Sequence, residues 1–214
     1  MKKTSLFFAA IFLAVFVWGQ NEKYQEKMGE ALGQFAFCTS ADDFQKLANQ
    51  FDVIAKVQTG EWLPLYYQAH CYIMIGFMDQ LETGLRDNYL ELAHEAIKKM
   101  ETLAPEEAEV YVMRAFYHTG YLVVDPPQRA MGSTPMIHAA IGRALELDPG
   151  NPRAIFLRIS NEMGTAAYFG SDTAPYCEEA GRLLESWDAY QVKSPIHPTW
   201  GKAETEGIVK SCSQ

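Results

Sequence analysis

The chain has 214 residues, 48% of them apolar, and carries a net charge of −9 from 18 Lys and Arg against 27 Asp and Glu. This length suits one compact domain or two small ones, and the apolar fraction is sufficient for a hydrophobic core, which argues against intrinsic disorder. The acidic excess argues against binding to nucleic acids or anionic lipid surfaces, because phosphate groups are bound by basic residues.

The first residues have the three-part pattern of a secretory signal peptide. Two lysines precede an unbroken apolar run from Leu6 to Trp18, and polar residues return after Gly19. A membrane-spanning helix needs about 20 apolar residues, so this run is too short to be one. We therefore predict that residues 1–19 are cleaved and that residues 20–214 form an exported protein, periplasmic or secreted. The alternative is a buried N-terminal helix.

The remaining sequence is predicted to be helical almost throughout. Apolar residues recur at intervals of three and four positions, while capping residues, glycines and prolines give the ends of the segments. Almost no stretch alternates with period two, so a β-sheet is not expected. No linker divides the mature chain. In chain order, the predicted helices cover about residues 24–37, 44–55, 62–76, 88–103, 107–120, 135–147, 153–163, 174–190 and 203–211.

Two of these helices share one spacing of small and large apolar residues that ends in proline. Small residues let neighbouring helices approach, larger ones fill the gap between them, and the proline turns the chain into the next helix. Helix pairs that return at a fixed period indicate a solenoid. The two matches are Ala93, Ile97, Met100 and Pro105, and then Ile137, Ile141, Ala144 and Pro149.

This spacing resembles the second helix of the tetratricopeptide repeat, over about residues 24–190. The resemblance implies an all-α fold, an antiparallel helix-pair solenoid of three to four pairs with C-terminal capping helices. Two departures stand out, because residues 77–87 and 121–134 are expected to form loops where the family has tight turns. The segments 61–67 and 196–202 are also similar to small exported tetratricopeptide-like proteins of Bacteroidota.

The same resemblance implies a binding surface. First helices of such repeats line a concave groove that binds peptides, and an aromatic groove with an arginine suits an extended peptide or an acidic terminus. The implied function is a non-catalytic protein–protein interaction module or scaffold of the cell envelope, with another protein or a peptide as partner. The aromatic residues also have the simpler interpretation of core between helices. By matching positions, the groove residues are Tyr66, His70, Val112, Phe116, Arg153, Phe156 and Ser160.

Motifs for catalysis or metal binding are incomplete. His94 and Glu95 begin like a zinc-protease motif, but Lys98 stands where the second histidine is required. Glu91 and His94 have the spacing of half a di-iron site, and the other half is missing. There is no nucleophile-elbow motif, phosphate-binding glycine loop or C-x-x-C pair. We therefore expect no enzyme activity, no metal and no cofactor.

Two alternatives to the scaffold function remain open. One is a small-ligand-binding protein or enzyme with its site under the 121–134 loop, using Asp125, Arg129 and either His118 or His138. A deep, closed pocket with converging polar groups would favour it. The other is a purely structural component of the envelope that binds no partner in a groove.

The chain has four cysteines, which raises the question of disulfides in an exported protein. Cys38 and Cys71 occupy matching places in successive first helices, which pack about 8–10 Å apart, beyond the reach of a disulfide. We expect both to be buried and unpaired. Cys177 begins the eighth helix and Cys212 ends the last one, so antiparallel packing would make them a candidate pair. Sequence alone does not give connectivity, so this pairing stays open.

Overall fold

The structure, a computed structural model, describes residues 21–213, which form nine α-helices and no β-strand. The predicted signal peptide lies outside the described residues. None of the described helices is long and apolar enough to cross a membrane. The helices are α1 (21–35), α2 (Ala41–Val57), α3 (Leu63–Gly76), α4 (Thr83–Leu103), α5 (Ala108–Val124), α6 (Pro126–Leu147), α7 (Pro152–Tyr168), α8 (Ala174–Trp187) and α9 (Lys202–Cys212).

The helices stack as pairs, which confirms the predicted all-α, solenoid-like fold. Each helix from α2 onward packs against the next one in the chain, and α5 also packs against both α3 and α7. Close approach depends on small residues, since Ala69, Ala93 and Ala115 are completely buried. A Cβ atom at Gly76 would lie 2.7 Å from the Leu90 side chain. This position at the end of α3 therefore requires glycine.

Two hydrophobic clusters form the core, and α5 joins them. The first cluster extends from α1 to α5, and the second from α5 to α9. Val110 and Met113 belong to the first cluster, whereas Val112 and Ala115 belong to the second. Since these positions lie on different faces of one helix, α5 packs against the helix pairs on either side. The core is thus continuous along the stack.

The two predicted loops are much shorter than expected. The prediction of a loop at residues 121–134 was wrong, because α5 continues to Val124 and α6 begins at Pro126. Only Asp125 separates the two helices. Backbone N–H groups in the first turn of a helix have no partner within the helix, so a proline, which has no N–H, is tolerated there. The two prolines at 126 and 127 therefore begin α6 and do not end the helical structure. The 77–87 loop was also too long, since α4 begins at Thr83.

The longest non-helical segment lies near the C-terminus. Residues 188–201 connect α8 to α9 without helical structure, and we call them the strap. The two helices that the strap connects are joined by a disulfide bond between Cys177 and Cys212. The strap ends at Gly201, whose φ of 104° is in the left-handed region that favours glycine.

Candidate functional site

The strap crosses the inner face of the solenoid, where the first helices of the pairs lie side by side. Polar contacts fix it along its length and tie it to the beginning of α3 and α5 and to the end of α6. These contacts join the Tyr190 hydroxyl to the Asp148 carboxylate at 2.7 Å, the Lys193 ammonium to Glu107 at 2.6 Å, and the Tyr67 hydroxyl to the Ile196 carbonyl at 2.9 Å.

Trp200, near the end of the strap, lies among rings of the solenoid. Its Nε1–H donates a hydrogen bond of 2.7 Å to the Tyr66 hydroxyl. Its ring centroid lies 5.0 Å from that of Phe116 and 5.2 Å from that of His70. Phe156 meets the same indole edge-on at 6.2 Å. The inner face is therefore covered by a segment of the same chain.

A buried polar network lies beneath Tyr66. The Tyr66 hydroxyl donates to Glu109 at 3.2 Å, and Arg153 donates to the same carboxylate from Nε and Nη2 at 2.6–3.0 Å. The Asn151 amide donates to it at 2.6 Å and also caps α7. Burial by itself lowers the pKa of the Arg153 guanidinium, but Glu109 more than offsets this and raises the pKa. The Arg153 guanidinium is therefore charged in the folded protein.

Five of the seven predicted groove residues lie under the strap. Tyr66, His70, Phe116 and Phe156 contact Trp200, and the Arg153 guanidinium lies 5.5 Å from the ring centre of Tyr190. The other two lie elsewhere, because Val112 is completely buried in the second core cluster and Ser160 is half-buried on α7. Partner binding by these residues stays a prediction, and it would require the strap to move.

A cleft of about 450 Å³ opens between the α1–α2 hairpin and the strap, with α3 as its floor. This volume is in the range of pockets that bind small molecules. Sequence analysis did not identify this cleft, since most of its walls come from outside the matched groove positions. The residues that line it are Leu32, Phe35, Cys38, Phe44, Tyr67, His70, Met74, Pro195, His197, Thr199, Trp200 and Glu204.

His70 forms part of the cleft floor and has an unusual environment. Its ring lies 4.8 Å from that of Phe35 and 5.2 Å from that of Trp200, and the side chain is 5% exposed. Burial lowers the pKa of His70 to about 3, so the imidazole is neutral at physiological pH. Its Nδ1 atom is buried without a hydrogen-bond partner among the described residues. A buried nitrogen without a partner is uncommon in folded proteins.

The four cysteines divide into one bridged pair and two free thiols. Cys177 and Cys212 form the disulfide, while Cys38 and Cys71 are free. Cys71 is buried as expected, but Cys38 is only half-buried, because it follows the end of α1 and borders the cleft. Burial raises the pKa of both free thiols, so both are protonated at neutral pH.

Two residues of the alternative site, His118 and Arg129, line a smaller depression on α5 and α6, of about 290 Å³. Arg129 lines it, but its guanidinium already makes a bidentate ion pair with Asp87 at 2.7 and 2.8 Å. Burial lowers the pKa of His118, on the same wall, to about 4. His138 is exposed, and Asp125 is the half-buried residue between the two helices. These four residues therefore do not converge on one point.

The incomplete metal motifs belong to a helix surface. The ring of His94 stacks on that of Tyr117, with centroids 5.0 Å apart, and Lys98 pairs with Glu95 at 2.5 Å. Within residues 21–213, no group of three or more His, Cys, Asp and Glu side chains is arranged to hold a metal ion.

The comparisons with known proteins give one structural relationship. No known family model matches the chain, and neither does any curated protein sequence. The fold is similar to that of the HusA haemophore from Porphyromonas gingivalis, with a TM-score of 0.76 and 26% sequence identity. The alignment covers 88% of this chain and 92% of that one. The likeness therefore extends over nearly the whole of both proteins.

Proposed function

We propose that this chain is an exported, non-catalytic carrier that binds a flat conjugated ring, a porphyrin such as haem, in the cleft between the α1–α2 hairpin and the strap. Two independent facts support the proposal. The protein that it resembles over 88% of its length is a haemophore, and the cleft is walled by ring side chains. The export signal predicted for residues 1–19 agrees with such a role.

The observation that carries the proposal is the arrangement of rings in the cleft. Phe35 and Trp200 approach His70 from two sides, and Tyr67 and Phe44 extend the aromatic lining. Aromatic faces bind flat conjugated molecules by offset stacking and by excluding water. The volume of about 450 Å³ suits a ligand of that class better than an extended peptide.

The side-chain types in the cleft also suit an iron porphyrin as cargo. Proteins hold haem iron with histidine, cysteine, methionine or tyrosine. The cleft presents His70, Met74 and Cys38, and the neutral state of His70 is the one that binds metals. The contacts that the protein makes with the porphyrin ring can be measured separately from those that it makes with the iron, because a metal-free porphyrin can form only the ring contacts.

Titration of the purified mature protein with haemin, followed by absorbance and tryptophan fluorescence, tests the proposal. Phe35→Ala removes one wall, so we expect binding to weaken by about tenfold or more. Phe37→Ala is the matched control, because Phe37 lies two residues away and is 80% exposed. Protoporphyrin IX, run in parallel, shows how much of the affinity comes from the ring. Equal affinities for both variants, or no binding by the wild type, would refute the assignment.

The protein–protein interaction function remains a second candidate. Five of its seven groove residues lie together under the strap, and the strap that covers them is itself a non-helical segment with two prolines. A partner peptide would therefore have to displace the strap. A deletion of residues 188–214 that captured a peptide which the full chain does not bind would favour this candidate.

A further inference from the structure

The outer end of the strap leads into a short helix, α9, that has one buried residue. α9 has 11 residues, and of these only Thr205 is buried. A helix this short is marginal by itself in water, and most helical stability in proteins comes from packing an apolar face. Half-buried Ile208 and Val209 contact the second core cluster, and Lys202 pairs with Asp188 on the surface. Apart from its packing against α8, α9 is thus held by these few side chains.

The disulfide supplies a covalent attachment at the far end of this helix. Cys212 ends α9 and is exposed, and Cys177 is half-buried in the first turn of α8, 35 residues earlier in sequence. The bond closes a ring that contains most of α8, the strap and α9. Five residues of that ring line the cleft: Pro195, His197, Thr199, Trp200 and Glu204.

The position of Trp200 connects the two observations. Trp200 lies two residues before Lys202, the first residue of α9, and it forms the cleft wall opposite Phe35. Movement of α9 therefore acts on this wall through Gly201 and is opposed there by the hydrogen bond from Trp200 to Tyr66. The inner half of the strap has its own anchors, since Tyr67 binds the Ile196 carbonyl and Lys193 pairs with Glu107. Opening would begin at the α9 end.

We propose that the Cys177–Cys212 disulfide is a redox-sensitive latch on the cleft wall, an inference that rests on the proposed function. With the bond intact, the wall stays closed and bound porphyrin dissociates slowly. With the bond reduced, α9 and the end of the strap separate from α8, and the porphyrin leaves faster. Cys212, as the exposed sulfur, is the accessible point of attack.

The reductant is a dithiol. One of its thiolates attacks the Cys212 sulfur, the bond to Cys177 breaks, and Cys177 leaves as a thiolate that takes up a proton. The second thiol of the reductant then attacks the mixed disulfide and releases Cys212 as a thiol. Two electrons and two protons pass from the dithiol, which becomes a disulfide, to the two cysteines.

The test measures haemin release from the mature protein to excess apomyoglobin. Three samples are compared: oxidised protein, protein reduced and desalted before loading, and the Cys177→Ser/Cys212→Ser variant. Thiol titration verifies each state, with two free thiols expected before reduction and four after it. We expect release to be at least tenfold faster from the reduced protein and from the variant, which should not respond to reductant.

Hydrogen exchange gives a readout that needs no ligand. Amides of α9 should exchange faster after reduction while those of α3 and α5 stay protected, which also shows that the solenoid remains folded. Equal release rates with equal α9 protection would overturn the latch and leave the carrier function standing. Failure of the oxidised protein to bind haemin would overturn both.

Discussion

The indole N–H of Trp200 donates a 2.7 Å hydrogen bond to the hydroxyl of Tyr66, a residue 134 positions earlier in the sequence. The Tyr66 hydroxyl in turn donates a hydrogen bond to the buried carboxylate of Glu109. The strap, α3 and α5 are thereby joined through one phenol oxygen. Burial and the nearby Glu109 carboxylate raise the pKa of Tyr66 well above its ordinary value, so the phenol keeps its proton.

Tyr66→Phe should destabilise the fold by about 1–3 kcal/mol, because the N–H of half-buried Trp200 loses its acceptor and the buried Glu109 carboxylate loses one donor. Urea unfolding followed by circular dichroism measures this. Tyr168→Phe is the control, since Tyr168 is 78% exposed, and it should change stability by less than about 0.5 kcal/mol. Equal effects of the two substitutions would show that the Trp200–Tyr66 bond does not hold the strap.

The second prediction concerns the ion pair between Arg153 and Glu109. Both side chains are almost completely buried, at 2% and 4% exposed. Arg153→Met leaves the carboxylate without its cation and should cost about 3–5 kcal/mol in the free energy of unfolding. Adding Glu109→Gln should recover part of that loss, since the orphaned charge is removed. Arg182→Met, at a pair that is largely exposed, is the control and should be nearly neutral. A loss of under 1 kcal/mol in the single variant would contradict the prediction.

The fold was predictable because its signals are local. The spacing of Ala93, Ile97, Met100 and Pro105 reports how one helix packs against its partner, and the structure buries the first three. Errors fell where local rules oppose each other. Pro126 and Pro127 lie in the segment predicted to be the 121–134 loop, whereas they begin α6. Proline is common both in loops and in the first turn of a helix, and only the tertiary structure decides which of the two a given proline adopts.

The cleft could not be predicted in the same way. Phe35, His70 and Trp200 come from α1, α3 and the strap, and the repeat template has no position for the strap. One signal was present: Tyr190, Pro195, Pro198 and Trp200 form an aromatic and proline-rich segment in an otherwise helical chain. Where such a segment packs depends on contacts more than 100 residues away in sequence, as with the 129 residues between Tyr67 and Ile196.

Buried His70 predicts a stability that depends on pH. Its pKa of about 3 in the folded protein lies below the ordinary 6.5, so protonation favours the unfolded chain. The contribution of neutral His70 to the free energy of unfolding is complete above about pH 6.5. It is lost as the pH falls towards 3, by at most about 1.4 kcal/mol per pH unit. Acid titration of urea unfolding should show a shallower slope for His70→Phe. His118 and His197, whose pKa values burial also lowers, contribute with the same sign.

The control for that experiment is His138→Gln, since His138 lies on an exposed face of α6. It removes one histidine without disturbing the rings around the cleft, and the wild-type slope should be retained. An identical slope for His70→Phe and the wild type between pH 6.5 and 4 would show that His70 is solvated in solution, and that the cleft floor is more open than the structure has it.

Gly201 connects the strap to α9 and should tolerate no side chain. Its φ of 104° is unfavourable for other residues, and a Cβ atom would lie 2.8 Å from the Trp187 ring. Gly201→Ala should therefore destabilise the protein by about 1–3 kcal/mol and move Trp200. Gly207→Ala is the matched control, because that position is inside α9 with open space around it, where alanine stabilises a helix by up to about 1 kcal/mol. Thermal unfolding and the fluorescence of Trp200 measure both. Opposite signs are expected, and a neutral Gly201→Ala would mean that the strap enters α9 by another backbone path.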